Sequence, residues 1–267
     1  MKDFQKMDIN DIRSQIFLIK KNAKNIYTNF YTQLNIAYQV KILSHSIIIL
    51  KKELGFWRLY FFSNDIKKLQ DTLSKIQNNA PICIEILQKQ EEIILNSAKK
   101  QTVYIRLRKN LSNISKMEIQ QPPYKKPSAK KFYELIQKDF NIYFDHLPTL
   151  ETIKDWIKNK RILYIKKERQ IISYLIFNIN GKGAYINYIA NYGGKDSLIK
   201  IWQMFYQELN NFDIQSIYLW CDTKNTKAMN MYQIEGFSPD GLKNFIYLKA
   251  AKIANKEMGG GGISKTF

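Results

Sequence analysis

Residues 161–191, "RILYIKKERQIISYLIFNINGKGAYINYIAN", leave the chain few choices. Runs rich in Ile, Leu, Tyr and Phe are separated by "KKERQ" and "NGKG", both suited to tight hairpin turns. Such a stretch predicts three antiparallel strands in a meander. Directly downstream, "DSLIKIWQMFYQELNNF" carries apolar residues at helical spacing, with Asp196 or Ser197 as the expected cap. Then follow a strand, "SIYLWCD", a helix, "NTKAMNMYQIEGF", and a closing strand, "NFIYLK". Strands on either side of the long helix imply a right-handed crossover and a parallel pair. The expected class is α/β, an α+β mixed sheet flanked by helices.

The first half follows a similar order. "SIIILKKELGFWRLYFFSND" reads as a hairpin, "DIKKLQDTLSKIQ" as a helix, "PICIEIL" as a buried strand and "QTVYIRLR" as a last strand. Residues 23–40 and "KQEEIILNSA" are expected to be helical. Between the halves, "QQPPYKKPSAKK", residues 120–131, holds three prolines and a lysine cluster that continue neither strand nor helix. After it, "AKKFYELIQKDF" and "TLETIKDWIKNK" read as helices, with Thr149 and Thr152 as candidate caps for the second. The expected domains are 1–118 and 119–252, followed by a flexible Gly-rich tail, 253–267.

Lys and Arg outnumber Asp and Glu by 42 to 23, a formal charge of +19. That favours anionic partners such as phosphorylated cofactors. The lysines are spread along the chain, as a compositional bias would spread them, so a functional basic face is only one of two readings. No RNA-binding motif or concentrated Arg patch points to nucleic acid. Cys83 and Cys221 sit in apolar strands without metal spacing, which reads as two buried thiols in a reducing compartment. His45 and His146 make no metal site without carboxylate help, so no metal is expected. The polar start carries no visible signal peptide and the apolar runs are short of a membrane span, so the expected location is cytoplasmic.

The helix at 225–237 carries the chemistry. Asn225 can cap it, Ala228 is small enough for close approach, and Tyr232 lies one turn beyond on the same face. Gly236 supplies a left-handed stop, and Phe237 turns back into the core. The pattern N-x-x-A-x-x-x-Y-x-x-x-G-F after a strand, with this element order, resembles the GCN5-related N-acetyltransferases over roughly residues 112–250.

The resemblance implies acetyl-CoA as cofactor and transfer of its acyl group to a primary amine, small-molecule or peptide, by direct attack. It implies that Tyr232 lies near the sulfur and protonates it, and that Asn225 and Ala228 border the pantetheine path. Backbone groups at Ile189 and Ala190 would polarise the thioester carbonyl. The pyrophosphate loop would fall in "YIANYGGKDSLIKIW", on Gly193, Gly194, Lys195, Asp196 and Ser197. The family's Arg or Gln there has no obvious counterpart, and its last Gly or Ala falls on Asp196, Ser197 or Leu198. Asp196 would repel phosphate unless it caps the helix, with Lys195 and Lys200 compensating.

Glu168, Asp145 and Glu151 are available as general base, none in a diagnostic pattern. Tyr185, Asn187 and Tyr188 suit an acceptor pocket or plain packing. The first half resembles a degenerate copy, with no Gly-rich loop before "IKKLQDTLSKIQ", as in tandem members whose N-terminal copy shapes the acceptor site. The alternatives are a non-catalytic acyl-CoA-binding or scaffold protein and an RNA- or aminoacyl-tRNA-binding transferase. A monomer or homodimer is expected.

Overall fold

Residues 162–191 form the expected meander in a computed structural model that describes residues 3–21, 26–29, 38–89, 94–111 and 126–251. In chain order the elements are β1 (Gln5–Met7), α1 (Ile9–Lys21), β2 (Tyr27–Thr28), β3 (Tyr38–Leu43), β4 (Ser46–Lys52), β5 (Trp57–Ser63), α2 (Ile66–Lys75), β6 (Ile82–Gln88) and β7 (Lys99–Asn110). They continue with α3 (Ala129–Asp139), α4 (Leu150–Lys158), β8 (Ile162–Lys167), β9 (Gln170–Asn180), β10 (Gly183–Asn191), α5 (Gly194–Leu209), β11 (Ser216–Asp222), α6 (Thr226–Ile234) and β12 (Ser238–Lys249).

Helices were expected over 23–40 and 89–98; the described parts are instead strand at Tyr27–Thr28 and from Tyr38, and loop and turn over 94–98. The remainder of those segments, residues 120–125 of the Pro-rich linker and the Gly-rich tail lie outside the described residues.

The chain divides into two compact units. One comprises residues 1–84, 94–99 and 247–267, the other 85–93 and 100–246. In the first, the strand order is β1-β3-β4-β5-β6, with β2 against β5. The hairpin β4–β5 pairs in register from Ser46↔Ser63 to Lys52↔Trp57. The parallel pair β5–β6 is short, from Trp57↔Ile82 to Leu59↔Ile84. Helix α2 follows β5 with Asp65 as cap, its carboxylate accepting from Lys68 N. That carboxylate occupies the helix entrance where a glycine loop would leave room for an anion.

The second unit has the order β12-β7-β11-β10-β9-β8. Strands β8, β9 and β10 are antiparallel neighbours, and β10 runs parallel to β11. "QTVYIRLR" was expected to close the first half. It is part of β7, which pairs antiparallel with β11 from Asn110↔Ser216 to Tyr104↔Asp222.

Side chains of β9 alternate between two cores, as strand periodicity requires. Leu175 and Phe177 pack with Ile201, Trp202 and Phe205 of α5. Tyr174 and Ile176 pack with Phe132, Ile136, Ile153 and Trp156 of α3 and α4. Ser128 and Thr149 cap those two helices, accepting from Lys131 N and Thr152 N, so Thr152 is the capped residue. No described helix is long and apolar enough to cross a membrane.

Candidate active site

The parallel pair β10–β11 is the origin of the site. It runs from Gly183↔Ser216 to Ile186↔Leu219, and beyond that row no pairing joins the two strands among the described residues. Both strands continue, β10 to Asn191 and β11 to Asp222, so they part into a V. A bulge in β10 starts the divergence, its register against β9 shifting between Ile186 and Tyr188. One extra residue reverses the alternation. Ile186 faces the α5 core, yet Tyr188, two positions on, packs with α3 and α4. Ile189 and Ala190 lie on the parted arm, paired with Leu175 and Tyr174 of β9 on one edge only. Backbone groups on the other edge face the gap.

The loop leaving that arm is tightly built. Tyr192 N and Gly193 N both donate to Ile172 O, at 2.8 and 3.0 Å. Asn191 Nδ2 donates to Gly194 O at 2.8 Å, and Ser197 Oγ lies 2.6 Å from Asn191 Oδ1. The N-cap of α5 is Gly193, with no side-chain cap. The expected caps, Asp196 and Ser197, sit inside the first turn, because the helix starts before them. Ser197 is buried in the latch with Asn191, while Lys195 and Asp196 are exposed. Gly194 has φ +80 and nothing within 4 Å of an added β-carbon, so the helix entrance is open there. The first N–H groups of α5 have no acceptor one turn earlier in the helix and suit an anion.

The other arm leads to α6. Asn225 caps it, its side chain accepting from Ala228 N at 3.0 Å. Gly236, at φ +83, ends it, and Phe237 N returns to Tyr232 O at 2.9 Å. Tyr232 is 6% exposed, with its ring edge-on to Trp202 and Phe237 at 6.4 and 5.9 Å. Burial, with Cys221 of β11 adding to it, pushes its hydroxyl well above the ordinary tyrosine range. The hydroxyl therefore stays protonated, and among the described residues it makes no hydrogen bond. Trp202 Nε1 is buried without a partner there.

No family model matches the chain, and no curated protein matches it by sequence. Solved structures do. A GCN5-related N-acetyltransferase from Sphaerobacter thermophilus is similar with a TM-score of 0.55 at 10% identity, over 83% of this chain and 82% of that one. A GNAT-family acetyltransferase from Colwellia psychrerythraea gives 0.54 at 8% identity, over 92% and 99%. A tandem GNAT protein from the clavulanic acid biosynthesis pathway gives 0.53 at 6% identity, over 94% and 99%. The chain has the fold of the GCN5-related N-acetyltransferases.

On the sheet face opposite α5, the GNAT fold of the second unit carries a polar cluster at the mouth of the V. Tyr104 of β7 donates to Asp145 Oδ1 at 2.7 Å, and Asn141 N donates to Asp145 Oδ2 at 2.6 Å. Tyr188 Oη donates to the carbonyls of Asp145 and His146 at 3.0 and 2.8 Å. Glu85, 2% exposed, bonds His146 Nε2 at 2.7 Å and Asn244 Nδ2 at 2.7 Å. Thr102 donates to Asp222 Oδ1 at 2.5 Å. Burial lifts the Asp145 carboxyl above its usual range, against the pull of its Tyr104 and Asn141 bonds. Tyr185, between Asp145 and Glu85 electrostatically and stacked on Tyr218 at 5.0 Å, is likewise pushed up by burial. Asn187 sits at the bulge with a buried Oδ1 that has no partner among the described residues.

Of the three carboxylates considered as base, only Asp145 is in this cluster. Glu168 is exposed at the β8–β9 turn with φ +57, and Glu151 is exposed on α4, 3.8 Å from Lys154. Sequence reasoning missed Glu85, Tyr104, Asp222 and the loop latch of Asn191. A polar residue two positions before a glycine pair was a legible signal for Asn191. Nothing local marked Glu85 or Tyr104.

Proposed function

We propose that the chain is an acyl-CoA-dependent N-acyltransferase that passes an acetyl group to a primary amine by direct attack. The observation that carries this reading is the parting of β10 and β11 after Ile186↔Leu219, with a glycine-led helix on one arm and the Asn225–Tyr232 helix on the other. Coenzyme A fits the residues present. Gly193 is packed so that any side chain would collide, and Gly194 leaves the entrance of α5 open. When bound, acyl-CoA supplies a thioester carbonyl that an amine can attack.

The chain's own groups do the remainder. N–H groups of Gly194 to Ser197 hold the phosphates, with Lys195 and Lys200 nearby in sequence. Asp196 has no capping duty, so its exposed carboxylate is free to turn to solvent. Backbone groups at Ile189 and Ala190 line the gap, where a fixed N–H can polarise the carbonyl. Asn225 and Ala228 border the path. Tyr232 donates a proton to the departing sulfur, and Asp145 takes one from the attacking amine. An acid held protonated and a carboxylate of raised affinity for protons suit those two roles.

Thiol release from acetyl-CoA over a panel of primary amines, with calorimetry of coenzyme A binding, tests the reading. Amine-dependent thiol release supports it. Coenzyme A binding without any amine-dependent release would make the chain a binding protein instead.

A further inference from the structure

An open cavity of about 620 Å³ lies on the same sheet face, at the opposite end of β10 and β11 from the V. Its lining includes Arg106 and Arg108 of β7, Lys182 and Gly183 before and at the start of β10, and Ser216 and Tyr218 of β11. Three cations line it and no carboxylate does. Arg106 is held by Asp240 at 2.6 Å, and Lys182 reaches Asp213 at 3.2 Å. Arg108 has no acidic partner among the described residues. Its guanidinium donates to Ser216 Oγ at 3.0 Å and is exposed. The cavity thus holds a positive charge that the fold leaves uncompensated.

The register ties this cavity to the mouth of the V. Tyr218 is paired with Arg108 on one side and Tyr185 on the other, and Asp222 with Tyr104. Side chains two apart on a strand share a face. Arg108, Arg106 and Tyr104 therefore form one row, Ser216, Tyr218, Trp220 and Asp222 a second, and Gly183 and Tyr185 a third. One end of this trough is cationic, and the other carries Asp222, Asp145 and Glu85. From Gly183 to Asn187 the strand advances roughly 13 Å, and the stacked rings of Tyr185 and Tyr218 cover the middle.

We propose that the cavity binds an anionic group, carboxylate or phosphate, borne by the acceptor, whose amine lies at the acidic end beside the V. The acceptor is then an amine with an anion on the order of 10 Å away, the scale of that strand advance. Planar guanidinium recognises both anions through paired N–H groups. This rests on the transferase reading, so the test needs an arm that does not depend on turnover.

Octylamine, aminooctanoate and aminohexyl phosphate are compared as acceptors with the full chain and with Arg108→Gln, and binding of each is measured by calorimetry without acyl-CoA. Either anion-bearing amine should exceed octylamine by about tenfold in kcat/KM, as a charge-assisted hydrogen bond gives, and Arg108→Gln should erase the difference. Whichever of the two is preferred identifies the anion. Arg108→Lys should keep part of it. Equal use of octylamine, unaltered by Arg108→Gln, overturns the anion site and leaves the transferase reading intact. Arg108-dependent binding of aminooctanoate or aminohexyl phosphate with no turnover of any amine upholds the site and overturns the transferase. Neither binding nor turnover overturns both.

Discussion

Gly193 and Ser197 approach so closely that a β-carbon on Gly193 would lie 2.6 Å from Ser197 Oγ and 2.8 Å from Ile172 Cδ1. Ser197 cannot retreat without leaving Asn191 Oδ1, and Ile172 carries the carbonyl that holds the loop. Gly193→Ala should therefore destabilise the chain by about 1–3 kcal/mol, the range for overpacking, and weaken coenzyme A binding as well. Urea denaturation and calorimetry check both. A wild-type midpoint would show that the loop yields freely.

Gly194 presents the opposite situation, with open space and a left-handed backbone. Any side chain there incurs the strain of positive φ, roughly 1–2 kcal/mol. Gly194→Gln and Gly194→Glu share that strain and differ only in charge. The Glu variant should bind coenzyme A about tenfold more weakly than the Gln variant, since its carboxylate faces the phosphates. Equal affinities would move the phosphate site elsewhere.

Tyr232→Phe keeps the ring contacts to Trp202 and Phe237 and removes a hydroxyl that makes no hydrogen bond among the described residues. Its melting temperature should hold, because no hydrogen bond to a described residue is lost. Turnover should fall by roughly 10²- to 10⁴-fold, the range for general acid–base catalysis. An unchanged rate with chemistry rate-limiting would remove Tyr232 from the mechanism.

Cys221 lies beside Tyr232, yet burial, with Asp222 adding to it, pushes its thiol up to about 12. At neutral pH it is not a thiolate and cannot carry the acyl group as a nucleophile. Iodoacetamide should leave it unmodified in the folded chain and label it after denaturation. Intact-mass detection of an acyl adduct on Cys221 after mixing with acetyl-CoA would falsify direct attack.

Asp145 binds its proton more tightly in the folded chain than in the unfolded one, because burial raises its carboxyl. The stability it contributes is full below the unfolded value of about 3.9 and is lost as pH rises through the folded value. Asp145→Asn lacks that titration. The wild-type advantage over the variant should be largest in acid and shrink toward neutrality, read from denaturation midpoints across that range. An advantage that grows with pH would reverse the assignment.

What was legible in the sequence was what depends on neighbours along the chain. Asn225 and Gly236 terminate α6 by bonds within a few residues, so spacing alone located them. The meander, the crossover and the parallel pair followed from turn chemistry and handedness. The start of α5 misled, since Asp196 and Ser197 are good capping residues, but the latch of Asn191 and the fit of Gly193 set the entrance earlier. Tyr104, Arg106, Arg108 and Glu85 were invisible as site residues. They precede the Pro-rich linker, and only the pairing of β7 with β11 brings the first three to this face.

That pairing also governs the order in which the molecule can be completed. During synthesis β7 leaves the ribosome over a hundred residues ahead of β11, the strand it must join. Until then its edge groups have no β11 to satisfy them, and the loop closure is long, which slows folding. A chain interrupted at the linker would release a second unit missing an interior strand of its sheet. The two fragments should recover a working site only when supplied together.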